Sequence, residues 1–170
     1  MVLKPQDIFI LLKLVARAPR PWSYASAAHD LFMSVSEVHA GIKRAAAAGL
    51  IGPEMTGPIR KNLEEFLVHG VKYAFPPQRG GLTRGIPTGY AAPPLKKLIS
   101  RTDDPPPVWP YPDGNVRGYE FAPLYRSVPK AVASDPHLYE LLALVDAIRG
   151  GRARERELAV KELRSRLKGQ

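Results

Sequence analysis

The stretch that decides the fold is Leu31-Phe-Met-Ser-Val-Ser-Glu-Val-His-Ala-Gly-Ile-Lys-Arg-Ala-Ala-Ala-Ala-Gly-Leu-Ile51, which predicts a helix with clearly marked ends. Ser34 stands three residues before Glu37. This spacing is typical of a capping box, in which each side chain bonds the backbone N–H of the other residue. Gly49 follows a run of four alanines, and glycine is the residue that most often ends a helix. We therefore expect a helix that Ser34 opens and Gly49 ends.

The predicted helix has two chemically different faces. Its apolar sector consists of Val38, Ile42, Ala45 and Gly49. The opposite side is small, polar and basic, and consists of Ser36, Ala40, Lys43 and Ala47, flanked by Glu37, His39 and Arg44. A helix that enters the major groove of DNA needs such a face, because it must approach the base edges without bulky side chains in the way.

Two further helices are predicted before this one. The first has Pro5 in its opening turn and a stripe of apolar residues at helical spacing, formed by Ile8, Leu11, Leu12 and Val15. Pro19 and Pro21 end it. Ser23 can cap the second, whose apolar face is formed by Tyr24, Ala27, Ala28 and Leu31. The first fifty residues are therefore predicted to form three helices.

Residues 5–51 resemble the helical part of winged helix-turn-helix transcriptional regulators of the MarR-like type. The family pattern has a leucine at the end of the second helix, a serine that opens the third, a valine inside it and Gly-Leu-Ile after it. The matching positions are Leu31, Ser34, Val38 and Gly49-Leu50-Ile51. The resemblance implies an α+β winged helix-turn-helix domain over residues 1–100, which binds double-stranded DNA as a homodimer with its third helix in the major groove.

The chain departs from the family pattern in two places. A hairpin wing usually follows the third helix soon after, whereas residues 53–70 intervene here. The best wing candidate is therefore residues 71–90, with a strand over residues 71–75 and with Arg79 and Arg84 near the tip. Phe32 and Met33 also replace the usual small or polar turn residue and its neighbour, which suggests a turn packed against something apolar.

The resemblance gives each candidate residue a role in DNA binding. Lys43 and Arg44 are expected at phosphates or base edges, and Ser34 and Ser36 at phosphates near the helix N-terminus. Glu37 can accept from a cytosine amino group, His39 can contact either a base or a phosphate, and Arg79 and Arg84 suit the minor groove or the phosphates. Few long side chains line the face, so we expect modest direct readout, helped by contacts to thymine methyl groups and by DNA shape.

Simpler interpretations of the same residues stay open. Ser34 and Glu37 can act only as helix caps, and His39 can be an ordinary solvated histidine. Lys43 and Arg44 are common surface residues unless the helix enters a groove.

The charge of the chain favours a polyanionic partner. Its 170 residues carry 25 Lys plus Arg against 16 Asp plus Glu, a net charge of +9. Residues 61–102 alone hold seven basic and two acidic residues, so more than half of the excess falls on one stretch. A concentrated positive field suits a phosphate backbone, although a solvated basic face without a partner is the alternative.

Residues 101–170 are predicted to form a connector followed by a helical tail. Twelve of the 18 prolines fall between Pro76 and Pro129, which excludes long helices there. Residues 101–133 are predicted as a proline-rich connector with a β-hairpin, formed by residues 109–112 and 116–121 around Asp113-Gly114-Asn115. Residues 134–170 are predicted as a pair of helices, the first capped by Asp135. This pair can serve a homodimer or a partner, or fold back on its own domain.

No enzyme signature is found in the sequence. The absence of cysteine removes disulfides, thiolate metal sites and thiol nucleophiles, and the four histidines lack metal-binding spacing. We expect no cofactor and no metal. Without a recognisable signal peptide or a long apolar run, we expect a cytoplasmic protein that does not contact membranes.

Two alternatives to the regulator stay open. The first is an antitoxin-like interaction protein that neutralises a toxin such as a nucleotidyltransferase through its C-terminal extension and represses its own operon. The second is a protein that binds structured RNA.

Overall fold

A computed structural model describes residues 1–100 and 102–168 of the protein, which form an α+β fold of eight α-helices and one three-stranded sheet. The helices are α1 (Pro5–Arg17), α2 (Tyr24–Leu31), α3 (Val35–Ala47), α4 (Arg60–His69), α5 (Val71–Ala74), α6 (Val128–Ala131), α7 (Pro136–Gly150) and α8 (Ala153–Lys168). The strands are β1 (Arg79–Pro87), β2 (Pro107–Pro110) and β3 (Val116–Phe121). Single helical turns at Gly89–Ala91, Leu95–Lys97 and Val132–Ser134 complete the described elements.

The first three helices lie where the sequence predicts them. The Ser34 hydroxyl accepts from the Glu37 backbone N–H at 3.1 Å, and the Glu37 carboxylate accepts from the Ser34 N–H at 3.1 Å. This confirms the capping box. Gly49 has a φ of +77° just after α3, the left-handed conformation that glycine adopts without a steric penalty.

The turn between α2 and α3 places a phenylalanine in a left-handed conformation. Phe32 has φ 54° and ψ 45°, and its side chain is 56% exposed. Met33, beside it, is buried in the core. The expectation of an apolar environment for this turn therefore holds for Met33 and is wrong for Phe32.

Residues 71–74 form the helix α5, so the strand predicted over residues 71–75 is wrong. The Gly70 carbonyl accepts from the N–H groups of Tyr73 and Ala74, so the backbone coils into α5 instead of extending. Val71 enters the core while Tyr73 and Ala74 stay exposed. Within residues 1–100 and 102–168 no strand pairs with this stretch, and local helical bonds satisfy its backbone instead.

The sheet differs from both predicted hairpins. β1 pairs antiparallel with β2 and with β3, while β2 and β3 pair in parallel, so that the three strands close on one another. Residues 71–90 therefore form no hairpin wing, and residues 109–121 form no antiparallel hairpin. The reason is the position of β1, whose Gly85 pairs with both Pro110 and Val116.

Glycines allow the three strands to come this close. A Cβ atom on Gly85 would collide with the Trp109 carbonyl oxygen, and one on Gly118 would collide with that of Pro106. Strand backbones approach this closely only where side chains are absent.

One hydrophobic cluster joins residues from all parts of the described chain, from Ile8 on α1 to Leu167 on α8. α7 lies at its centre, with every residue from Leu141 to Arg149 buried. α8 packs on α7 and α4 through Ala159, Leu163 and Leu167. The C-terminal helices thus fold back on their own chain. None of the described helices is both long and apolar enough to cross a membrane.

Candidate nucleic-acid interface

The exposed side of α3 carries Ser36, His39, Lys43 and Ala47, which we call the α3 face. Val38, Ile42 and Ala45 on the opposite side are fully buried against α1 and α2. This division agrees with the two faces that the sequence predicts. Ala40 is half-buried at the edge of the α3 face.

Arg44 lies beside this face but is bound within the protein. Its Nε and Nη2 atoms donate to the two carboxylate oxygens of Asp7 at 2.8 and 2.9 Å. Asp7 is fully buried on α1, and its hydrogen bond to Arg44 raises the pKa of the guanidinium. The expectation that Arg44 offers its guanidinium to DNA therefore disagrees with its geometry. Sequence reasoning missed Asp7, which stands in the first turn of α1 like an ordinary charge near a helix N-terminus.

Glu37 is also engaged by the protein. Its Oε1 accepts from the Ser34 backbone, and its Oε2 accepts a short hydrogen bond from the Tyr125 hydroxyl. The Tyr125 bond, followed by the Ser34 bonds, lowers the pKa of the Glu37 carboxyl, and Arg126 at 3.9 Å adds a charge contribution. The carboxylate is thus a bridge between α3 and the segment after β3. An encounter with a cytosine amino group would require this bridge to open.

His39 ends a row of aromatic side chains. Its ring lies 5.0 Å from the ring of Tyr24, which lies 5.4 Å from the ring of Trp22. The Trp22 indole donates to the Thr56 carbonyl at 3.0 Å, which connects the row to the loop after α3. His39 is therefore exposed and also oriented by a neighbour.

The predicted wing arginines lie on β1 in different environments. Arg79 donates to the Gly150 carbonyl at 2.5 Å, and its guanidinium carbon lies 5.0 Å from the centre of the Phe121 ring. Arg84 stands on the exposed part of β1. Only Arg84 therefore has the free, outward position that the prediction assumed.

Arg84 has a counterpart that the sequence did not reveal. It lies directly opposite Arg117 on β3, and the next pair on the same side is Leu82 opposite Tyr119. All four side chains are exposed, and we call them the arginine ribbon. Like charges directly opposite each other destabilise a sheet, and neither arginine forms an ion pair within residues 1–100 and 102–168. An anion between them would remove this repulsion.

In the described part of the chain, no three histidine or acidic side chains come together in a group that could hold a metal ion. No protein-family model, no curated protein and no solved structure matches this chain.

Proposed function

We propose that the protein binds double-stranded DNA through α3 and acts as a transcriptional regulator. The observation that carries this proposal is the α3 face, whose residues are small, polar or basic while the opposite side of the same helix is fully buried. A helix with this exposed surface can lie in the major groove, where its side chains reach the base edges.

Each residue of the α3 face has a role in this proposal. Lys43 binds a phosphate or the O6 and N7 atoms of guanine, and the Ser36 hydroxyl donates to a phosphate. His39 contacts a base or a phosphate at the edge of the face. Ala47 leaves room for a thymine methyl group. With one long cation on this face, DNA shape contributes a large part of the specificity.

Arg44 and Glu37 act on DNA binding indirectly in this proposal. Arg44 fixes α3 to α1 through the buried Asp7, and Glu37 fixes the N-terminus of α3 to Tyr125. Both are positioning residues, since Arg44 Nε and Nη2 and both carboxylate oxygens of Glu37 already have partners within the protein. Ser34 caps the helix and is expected to contact DNA only through its exposed edge.

The arginine ribbon takes the place of the expected wing. Arg84 and Arg117 hold two guanidinium groups at one point of an exposed two-stranded segment. Binding a phosphate there removes their mutual repulsion and releases counterions from the DNA, which strengthens binding at low salt.

A salt-titrated binding assay on the DNA upstream of the gene tests this function. We expect a steep decrease of affinity with salt and a clear preference over unrelated DNA. Lys43→Ala should weaken binding at least tenfold, whereas the matched change Lys61→Ala, at an exposed lysine of α4, should not. Equal binding of both variants, or duplex RNA that outcompetes duplex DNA at the same salt concentration, would reject the proposal.

A homodimer and a protein partner such as a toxin remain predictions. The apolar residues of α7, the first helix of the pair that the sequence offered for both, are buried within the same chain. Any such interface must therefore use another surface. Light scattering of the purified protein, alone and with DNA, measures the number of chains directly.

A further inference from the structure

A cavity of about 330 Å³ lies between β3, the helical turn Gly89–Ala91 and the junction of α7 with α8. Its volume is at the lower end of the range of small-molecule sites, roughly 300–1,000 Å³. Three aromatic side chains line it, namely Tyr90, Tyr119 and Phe121. A cavity of this size and lining suits a small ligand with a flat apolar part.

Charged groups of both signs also line this cavity. Apart from Asp146, they belong to Arg79, Arg152, Asp104 and Glu155. No ion pair joins any of these four within the described residues. Charges that line one aromatic cavity without pairing with each other are available to a ligand that carries both charges.

The position of Arg79 is fixed by its neighbours. Its guanidinium lies over the Phe121 ring and donates to the Gly150 carbonyl. A Cβ atom at Gly150 would come within 2.7 Å of both Arg79 Nη2 and the Phe121 ring, so a glycine is required for this arrangement. The cavity therefore has a preorganised cation above an aromatic wall, which reduces the entropy lost on binding.

Asp146 and Tyr90 have different roles at this cavity. The Asp146 carboxylate already accepts from Thr88, Trp109 and Arg149, so its charge is paired within the protein. The Tyr90 hydroxyl has a raised pKa because of its burial, with smaller contributions from Glu155 and Asp104. It therefore stays a neutral donor near the acidic side chains.

We propose that this cavity binds a small aromatic zwitterion of the type of a free aromatic amino acid. Its carboxylate is bound by Arg79 and Arg152, its ammonium by Asp104 and Glu155, and its ring packs against Tyr119 and Phe121. This ligand site is independent of the α3 face, and its test contains no DNA. If the proposed DNA binding fails, the ligand proposal therefore still stands, and if the ligand proposal fails, the DNA-binding proposal still stands.

Calorimetric titration of the full chain tests the chemical class. The probes are L-tryptophan, L-tyrosine and L-phenylalanine, followed by three analogues of tryptophan: tryptamine without the carboxylate, indole-3-propionate without the ammonium, and indole without either. We expect L-tryptophan to bind, and tryptamine and indole-3-propionate to bind at least tenfold more weakly than L-tryptophan. Absence of binding of all three amino acids at millimolar concentration, or equal binding of indole, would overturn the proposal.

Two variants with matched controls test the site itself. Arg152→Ala should reduce the affinity for L-tryptophan at least tenfold and leave the affinity for tryptamine unchanged. Glu155→Gln should likewise reduce the affinity for L-tryptophan at least tenfold, and it should leave the affinity for indole-3-propionate unchanged. The matched controls are Arg154→Ala and Glu157→Gln, each two positions after the residue that it matches. Both residues lie on α8 outside the cavity lining, so neither change should alter any of these affinities. All four changes are at the protein surface or its edge, so circular dichroism should show a common fold. Equal affinities in a variant and its control would overturn the site.

Discussion

The guanidinium of Arg44 on α3 binds the carboxylate of Asp7 on α1 at two points. Arg44 Nε donates to Asp7 Oδ2 at 2.8 Å, and Arg44 Nη2 donates to Asp7 Oδ1 at 2.9 Å. Asp7 is fully buried, and only 13% of the Arg44 side chain is exposed. Gly41 lies at the same contact, where a Cβ atom would meet Ile10 and Asp7. The helix proposed to bind DNA is therefore held to α1 by a close approach and a two-point ion pair.

The first prediction concerns stability at this ion pair. Arg44→Ala should lower the free energy of unfolding by about 3–5 kcal/mol, because it leaves a buried carboxylate without its counter-charge. Lys43→Ala, at the neighbouring exposed residue, should change it by less than about 0.5 kcal/mol. Urea denaturation followed by circular dichroism measures both.

DNA binding should depend more on Lys43 than on Arg44, which is the opposite of the order expected for stability. Lys43→Ala weakens binding of a fully folded protein, whereas Arg44→Lys, which keeps the charge but loses the two-point geometry, mainly lowers stability. An Arg44→Ala protein as stable as the wild type but unable to bind DNA would show that Arg44 is a contact residue after all.

The second prediction concerns the pH dependence of the Glu37–Tyr125 contact. The pKa of the folded Glu37 carboxyl is lowered from 4.5, chiefly by the Tyr125 hydroxyl. An acid with a lowered pKa stabilises the fold above its unfolded pKa, and this contribution is lost as the pH falls through the folded value. Tyr125→Phe should therefore cost about 1 kcal/mol at pH 7, and the difference from wild type should shrink below pH 4.5.

Urea midpoints between pH 3 and pH 7 measure this difference, with Tyr73→Phe as the control because the Tyr73 ring is 75% exposed. The Phe9–Tyr125 ring contact survives in the Tyr125→Phe variant, since the ring is kept. A constant difference across this pH range would show that the hydroxyl does not act through the Glu37 carboxylate.

The elements that the sequence predicted well depend on neighbouring residues. The Ser34–Glu37 capping box, the left-handed Gly49 and the Asp135 cap of α7 each involve residues within three or four positions. The apolar stripes of α1 and α3 likewise follow from helical spacing alone.

The sheet and part of the site depend on distant residues. The pairing of β1 with β3 brings Arg84 opposite Arg117, 33 positions away, and no local pattern predicts that register. Arg44 similarly finds Asp7 37 positions away. The strand expected over residues 71–75 failed because Val and Tyr favour strands only when a partner strand exists.

The third prediction concerns the arginine ribbon. Arg117→Glu places an acid opposite Arg84, so it should raise the thermal midpoint by roughly 1 °C while it weakens DNA binding. Arg117→Ala should reduce the slope of log affinity against log salt by about one. Neither change should alter the order of preference among DNA sequences, because phosphate contacts carry no sequence information.

Arg154→Ala is the matched control, since Arg154 is exposed on α8 and lies outside both the ribbon and the α3 face. Differential scanning fluorimetry measures the midpoint, and anisotropy at several salt concentrations measures the slope. If Arg117→Ala left the slope of log affinity against log salt unchanged while Lys43→Ala reduced it, the DNA contact would be limited to α3.

The last prediction concerns the backbone of Phe32. A left-handed conformation costs a residue with a side chain about 1–2 kcal/mol, and glycine adopts it freely. The Phe32 ring is more than half exposed and its neighbour is Lys130, 5.6 Å from the ring centre, so its removal loses little packing. Phe32→Gly should therefore raise the free energy of unfolding by about 0.5–1 kcal/mol.

Phe32→Ala separates the backbone contribution from that of the ring. It loses the same side-chain contacts but keeps the left-handed penalty, so it should be slightly less stable than wild type. The stability difference between the glycine and alanine variants then measures the left-handed penalty less the extra backbone entropy that glycine loses on folding, free of the Lys130 contact. If the alanine variant were as stable as the glycine variant in urea denaturation, the left-handed penalty would be no larger than this entropy cost, and the predicted gain of Phe32→Gly would be wrong.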